Sequence, residues 1–160
     1  MNQNYHTFPE NSKVWIYQSS QIFDEDDKNF IKVRVDEFIE KWDSHGNLLK
    51  ADFDVLNNLF LVFFVDEQGD RMCGSAQDRL LRLVKELEGE LEVELLNRMN
   101  LSYIKNSEVY VAKMHEFSQL YKDGIINDTT LVFDNTVTTK AAFDTQWKLP
   151  LVNSWHKQIV

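Results

Sequence analysis

The chain has 160 residues, 43% of them hydrophobic, which suits one domain with a substantial core and argues against disorder. With 17 basic against 26 acidic residues the net charge is −9, which disfavours a nucleic-acid backbone or an anionic membrane surface as partner. The single cysteine, Cys73, excludes an intrachain disulfide, and no apolar run approaches the ~18 residues of a membrane span.

Residues 1–12 are polar, are interrupted by Pro9 and read as a loose start without the features of a secretion signal, so the sequence reads as a soluble cytoplasmic protein. Val14-Trp15-Ile16-Tyr17 is a short apolar run that predicts a central strand. Asp24 then caps a helix whose first turn carries Glu25, Asp26 and Asp27, where the helix dipole favours negative charge. Ile31, Val35, Phe38 and Trp42 form its apolar stripe, and His45-Gly46-Asn47 supplies a stop, with Gly46 suited to a left-handed position.

From Lys50 to Leu56, Ala51, Phe53 and Val55 alternate with Asp52 and Asp54, the pattern of a strand with one wet face. Asn57-Asn58 makes a tight turn into Leu59-Phe60-Leu61-Val62-Phe63-Phe64-Val65, which is apolar without alternation and therefore covered on both faces. Ser75 opens a second helix with Asp78 three residues on, a variant of the capping box, and Leu80, Val84, Leu87 and Leu91 give its stripe. Gly89 weakens it. A further strand runs over about Leu101 to Ala112, with a turn available at Asn106-Ser107.

Strand, helix, strand, strand, helix, strand is the split βαβ order of a ferredoxin-like domain. That fold places its first and third strands centrally and its second at an edge. The first and third here are continuously apolar and the second alternates with charges, as the fold requires. The expectation is an α+β protein with a ferredoxin-like core over 1–112 and a C-terminal αβα extension over 113–160 packed on it. In that extension Met114 to Asp123 reads as a helix closed by Gly124, and Thr130 to Phe133 as a strand. Thr138 or Thr139 caps a last helix carrying Ala142, Phe143 and Trp147, which Pro150 stops. Ferredoxin-like sheets leave edges on which two copies could pair as a homodimer.

The chain resembles a family of short uncharacterised bacterial proteins. The residues carrying the resemblance are Val14-Trp15-Ile16-Tyr17-Gln18-Ser19, Trp42 with His45-Gly46, Arg98-Met99-Asn100, Val137-Thr138-Thr139-Lys140 and Ser154-Trp155-His156. Some members bear the label ABC transporter ATPase. The residues here do not support it, because phosphate cradling needs Gly-x4-Gly-Lys-Ser/Thr and no such stretch exists. Where the family shows Gly-Cys-Ser-Ile-Asp at the second helix, this chain has Gly74-Ser75-Ala76-Gln77-Asp78, with Cys73 just before. The stretch His115 to Phe133, with Trp147, is similar to the later half of GYF-like modules. That resemblance implies binding of proline-rich peptides through exposed aromatics, here Phe133, Trp147 and Trp155.

The split βαβ layout puts the end of the first helix and the start of the second at one edge of the sheet. His45, Cys73, Gly74, Ser75 and Asp78 should therefore share a cleft, which the tail His156 could reach. A helix N-terminus offers free N–H groups to an anion, and a cysteine beside it can have a depressed pKa. Each part also has a structural explanation: capping for Ser75 and Asp78, a helix stop for Gly46, and a small inert side chain for Cys73. No cofactor is implied. The four histidines lack metal-ligand spacing, and Asp24 to Asp27 is a helix start rather than a calcium loop. The sequence therefore points to a binding or interaction protein without an evident catalytic motif, whose partner is a protein. The alternative is a small enzyme or small-anion binder at Gly74-Ser75.

Overall fold

The computed structural model describes residues 4–160. Among these, the first half forms strand β1 (Lys13–Gln18), helix α1 (Glu25–Lys41), a small hairpin of β2 (Asp43–Ser44) and β3 (Asn47–Leu48), strands β4 (Lys50–Leu56) and β5 (Phe60–Asp66), and helix α2 (Gly74–Leu91). The second half contributes β6 (Asn100–Lys105), β7 (Glu108–Lys113), α3 (Phe117–Lys122), β8 (Leu131–Phe133), α4 (Lys140–Gln146) and β9 (Lys148–Pro150), with short 3-10 turns between them. The protein is mixed α and β, and its sheets are antiparallel.

The first sheet has the order β1-β5-β4. Every residue of β5 is buried, and its two faces meet different partners. Leu61, Phe63 and Val65 pack with Ile31 and Val35 of α1 and with Ala76, Leu80, Val84 and Leu87 of α2. Phe60, Val62 and Phe64 pack with Phe133, Val137 and Trp147 from the second half. This double coverage explains why β5 shows no alternation in sequence. The second sheet, β7-β6-β8-β9, turns Ile104, Val109 and Val111 toward the first sheet. Its other face carries Leu101, Tyr103 and Val132 onto Phe117, Ile126 and Leu151.

Several boundaries follow directly from residue chemistry. Asp24 accepts from the Asp27 N–H and Asp27 from the Asp24 N–H, a complete capping box. Asn57 and Asn58 both sit at positive φ and join β4 to β5, and Asn106 and Ser107 do the same between β6 and β7. Thr139 caps α4 through the Ala142 N–H.

Four expectations need correction. The strand beginning near Leu101 does not pair with β1 as a ferredoxin-like fourth strand; it is the first arm of the hairpin β6–β7 in the other sheet. The cause lies in the chain leaving α2. Glu92 turns left-handed, Glu94 then exchanges hydrogen bonds with Ser20, and the chain crosses the end of β1 into the second layer. His45-Gly46 is not a helix stop. Trp42 closes α1, and His45-Gly46, both at positive φ, form the tip of the β2–β3 hairpin. Residues 5–8 are not loose: Tyr5 stacks on Phe64 with ring centroids 3.9 Å apart and donates its hydroxyl to Asp54, while its N–H donates to Asp52. This turn covers the carboxylate face of β4 that the alternation marks as wet. Lastly, α4 ends at Gln146, and Pro150 ends β9 rather than the helix.

Candidate functional site

Two regions compete as functional sites. The first lies at the start of α2, where the sequence places its cleft. The N-cap of α2 is Cys73, not Ser75; Ser75 lies exposed in the first turn and makes no capping bond. Asp78 is exposed as well. The β2–β3 hairpin leans over this helix start. Ser44 Oγ accepts the Cys73 N–H at 2.9 Å, and His45 Nε2 lies 3.3 Å from the Arg71 carbonyl. A carbonyl only accepts, so Nε2 carries the proton in this contact. Arg79 fixes the base of the hairpin by donating to both the side chain and the carbonyl of Asp43. The Ser44 hydroxyl, the Ala76 N–H and His45 together lower the Cys73 thiol to about 7. The arrangement favours a thiolate, the reactive form of cysteine.

The structure thus brings His45, Cys73, Gly74 and Ser75 to one end of the molecule, but His156 is not with them. His156 is fully buried beneath the second sheet, its ring 5.7 Å from Phe117 and stacked 4.0 Å from Trp155. Its Nδ1 meets Ser154 Oγ at 2.7 Å, and burial holds its pKa down to about 4, so it is neutral. The proposed aromatic surface also needs correction. Phe133 and Trp147 are buried against each other and against Phe60, so they expose no platform for a proline-rich peptide. Their burial follows from the demand of β5 for a second apolar cover.

The second region was not anticipated from sequence. A pocket of about 530 Å³ opens beside β1, between that strand, the α2–β6 connection, the segment from Phe133 to Thr138, and Trp155. Its walls are largely apolar, with Val14, Ile16, Leu101, Phe133 and Val137 among them. Two polar atoms stand out. Gln18 Nε2 and Trp155 Nε1 are both buried donors, and no protein group accepts from either.

The orientation of Gln18 is set by a relay. The Trp147 indole can only donate, and it does so to Asn135 Oδ1 at 2.9 Å. The Asn135 amide nitrogen must then donate, and it reaches Gln18 Oε1 at 3.3 Å. Ser102 Oγ donates to the same oxygen at 2.9 Å. The Gln18 oxygen is therefore fully used, and its NH₂ is buried without an acceptor. A buried donor left without an acceptor costs about 1–3 kcal/mol, so two in one wall call for an explanation.

Arg98 stands in the same wall, exposed and, among the described residues, without an ion pair. It is near enough to Tyr17 to oppose part of the burial effect that raises that phenol to about 12. In a chain of net charge −9, this is a local positive spot beside two donors. A second hollow of about 680 Å³ lies at the far end of β1, beside Trp15, Gln68 and Arg71, and none of the buried unpartnered side-chain atoms lines it. Among the described residues no group of His, Cys, Asp and Glu is placed to hold a metal ion, and no helix is long and apolar enough to cross a membrane. Comparison with protein-family models, curated proteins and solved structures finds no match for this chain.

Proposed function

We propose that this protein is a non-catalytic binding domain and that its ligand occupies the pocket beside β1. The observation that carries this reading is the pair of buried, unpartnered donors, Gln18 Nε2 and Trp155 Nε1, on two residues that line that pocket. A ligand with an apolar body and a carboxylate or similar acceptor group would satisfy both donors, face Arg98, and cover the apolar walls. Such pockets, mostly apolar with a few convergent polar groups, are the usual form of small-ligand sites.

Thermal unfolding against short aliphatic and aryl carboxylates, with the matching primary amides, tests the reading. A ligand at about 100 times its dissociation constant stabilises by about 2.7 kcal/mol, a shift on the order of 5–10 °C for a domain of this size. The carboxylates should raise the melting temperature more than the amides, and Trp155→Phe should remove the shift. Equal shifts in the wild type and in Trp155→Phe would contradict the assignment.

A second reading has its own observation. Cys73, with its thiol lowered to about 7, could serve as a nucleophile or a redox-responsive group. The reading has less support, because His45 Nε2 is engaged by the Arg71 carbonyl. The two readings separate cleanly: Cys73→Ala should leave ligand binding at the β1 pocket unchanged.

A further inference from the structure

The pocket wall formed by β1 is a strand edge as well as a set of side chains. β1 lies at the edge of its sheet; among the described residues β5 is its one paired strand, and a single antiparallel bridge joins Lys13 to Thr139 on the other side. In an antiparallel pair, alternate residues turn their backbone groups to the partner and the others turn them away. Ser19 donates its N–H to the Leu59 carbonyl beside β5, whereas Val14 donates its N–H outward to the Thr138 carbonyl. Ser20, of the same parity as Val14, donates outward to the Glu94 carbonyl. Ile16 and Gln18 lie between them in that parity, so their N–H and C=O groups face away from β5, and both residues line the pocket. The edge is thus closed at both ends, at Val14 and at Ser20, and open in the middle.

We propose that the ligand is the C-terminal end of a peptide chain, bound in extended form along the open edge of β1 at Ile16 and Gln18. This rests on the reading of the pocket as the binding site. An added strand would complete the backbone hydrogen bonds of the edge, the familiar mode of strand addition. The span from Val14 to Ser20 is roughly 20 Å, the length of about six extended residues. Both ends of that span are blocked by the chain itself, so a segment from the middle of a partner cannot run through, and a chain end can stop inside. Of the two chain ends, the carboxylate fits. It matches the donors Gln18 Nε2 and Trp155 Nε1 and the free guanidinium of Arg98, whereas a terminal ammonium would meet donors and a cation.

The test uses the full chain labelled with nitrogen-15 and three probes. These are a degenerate pool of acetylated pentapeptides with free carboxyl ends, the same pool amidated, and a mixture of small aryl and alkyl carboxylates. The readouts are the indole N–H of Trp155 and the hydrogen-exchange rates of the Ile16 and Gln18 amides. The free-acid pool should shift the indole signal and slow exchange at Ile16 and Gln18 by tenfold or more. The amidated pool should do neither, and Arg98→Ala, an exposed change that leaves the fold intact, should weaken the response to the acid pool at least tenfold. If the amidated pool acts equally, recognition of a carboxyl end is overturned. If only the small carboxylates shift the indole, without protection of Ile16 and Gln18, the peptide proposal fails and the pocket reading stands. If no probe shifts the indole, both fail.

Discussion

Replacing the Trp155 indole by a phenyl ring removes one buried N–H and leaves most of the ring's packing. Removing that unpartnered N–H relieves its burial cost and offsets the packing lost with the larger ring, so Trp155→Phe should leave the free protein within about 1 kcal/mol of the wild type, while removing the ligand-induced shift. Chemical denaturation with and without ligand measures both. His156, its neighbour, makes a prediction about pH. Its pKa is depressed from 6.5 to about 4 by burial, so between those values the unfolded chain binds a proton that the folded chain refuses. The contribution to stability is complete above about pH 7 and falls as the pH drops toward 4, by about 3 kcal/mol from this group alone. Urea midpoints at about pH 7 and about pH 4.5 should differ less in His156→Gln than in the wild type. Cys73 supplies a third test: its alkylation rate should reach half its maximum near pH 7, and Ser44→Ala should move that midpoint upward. A midpoint at the ordinary thiol value of about 8.5 would show that the hairpin does not activate it.

The hairpin of β2 and β3 shows how much a short element can set. Its tip needs two consecutive residues at positive φ, which His45 and Gly46 provide. A Cβ on Gly46 would meet nothing nearby, so Gly46→Ala should cost only the conformational penalty of the left-handed region, about 1 kcal/mol. Because the same hairpin carries Ser44 over Cys73, that substitution should also raise the thiol midpoint. At this scale the sequence was informative where local chemistry decides the structure. Asp24, the Asn57-Asn58 turn, the Asn106-Ser107 turn and the Thr139 cap are all legible as residue types at fixed offsets. His45-Gly46 was legible as a turn but not as a hairpin tip, because a helix stop and a tight hairpin ask for the same left-handed glycine. Tyr5 and Phe8 were missed because a single 3-10 turn carries no periodicity. What seats Tyr5 is the distant pair of carboxylates on β4, and Phe8 packs into the apolar cluster beside it.

The arrangement of layers was less legible. The uninterrupted apolar run of β5 correctly demanded cover on both faces, and the structure supplies helices on one side and the second half of the chain on the other. What covers the second face depends on where the chain turns after α2, and the Glu94–Ser20 contact that directs it joins residues 74 apart. The pocket was invisible for the same reason. Gln18, Arg98, Asn135 and Trp155 are scattered along the chain, and each alone reads as an ordinary surface or core residue. They acquire meaning only when the open edge of β1 faces the second sheet. The aromatic residues expected to form an exposed surface instead build the wall and the relay that orient Gln18. Filling this pocket should be tolerated by the fold but not by binding: Thr136→Trp, at an exposed residue of the wall, should leave the protein folded, as circular dichroism would show, and remove every ligand-induced shift.

The most direct measurement is the indole N–H signal of Trp155 in the nitrogen-15 spectrum, assigned by its absence in Trp155→Phe and followed as carboxylate ligands are added. A buried donor that gains an acceptor should move downfield and saturate, together with the side-chain amide of Gln18. If both signals stay in place while a carboxylate binds elsewhere on the protein, or while no carboxylate binds at all, the pocket beside β1 is not the functional site.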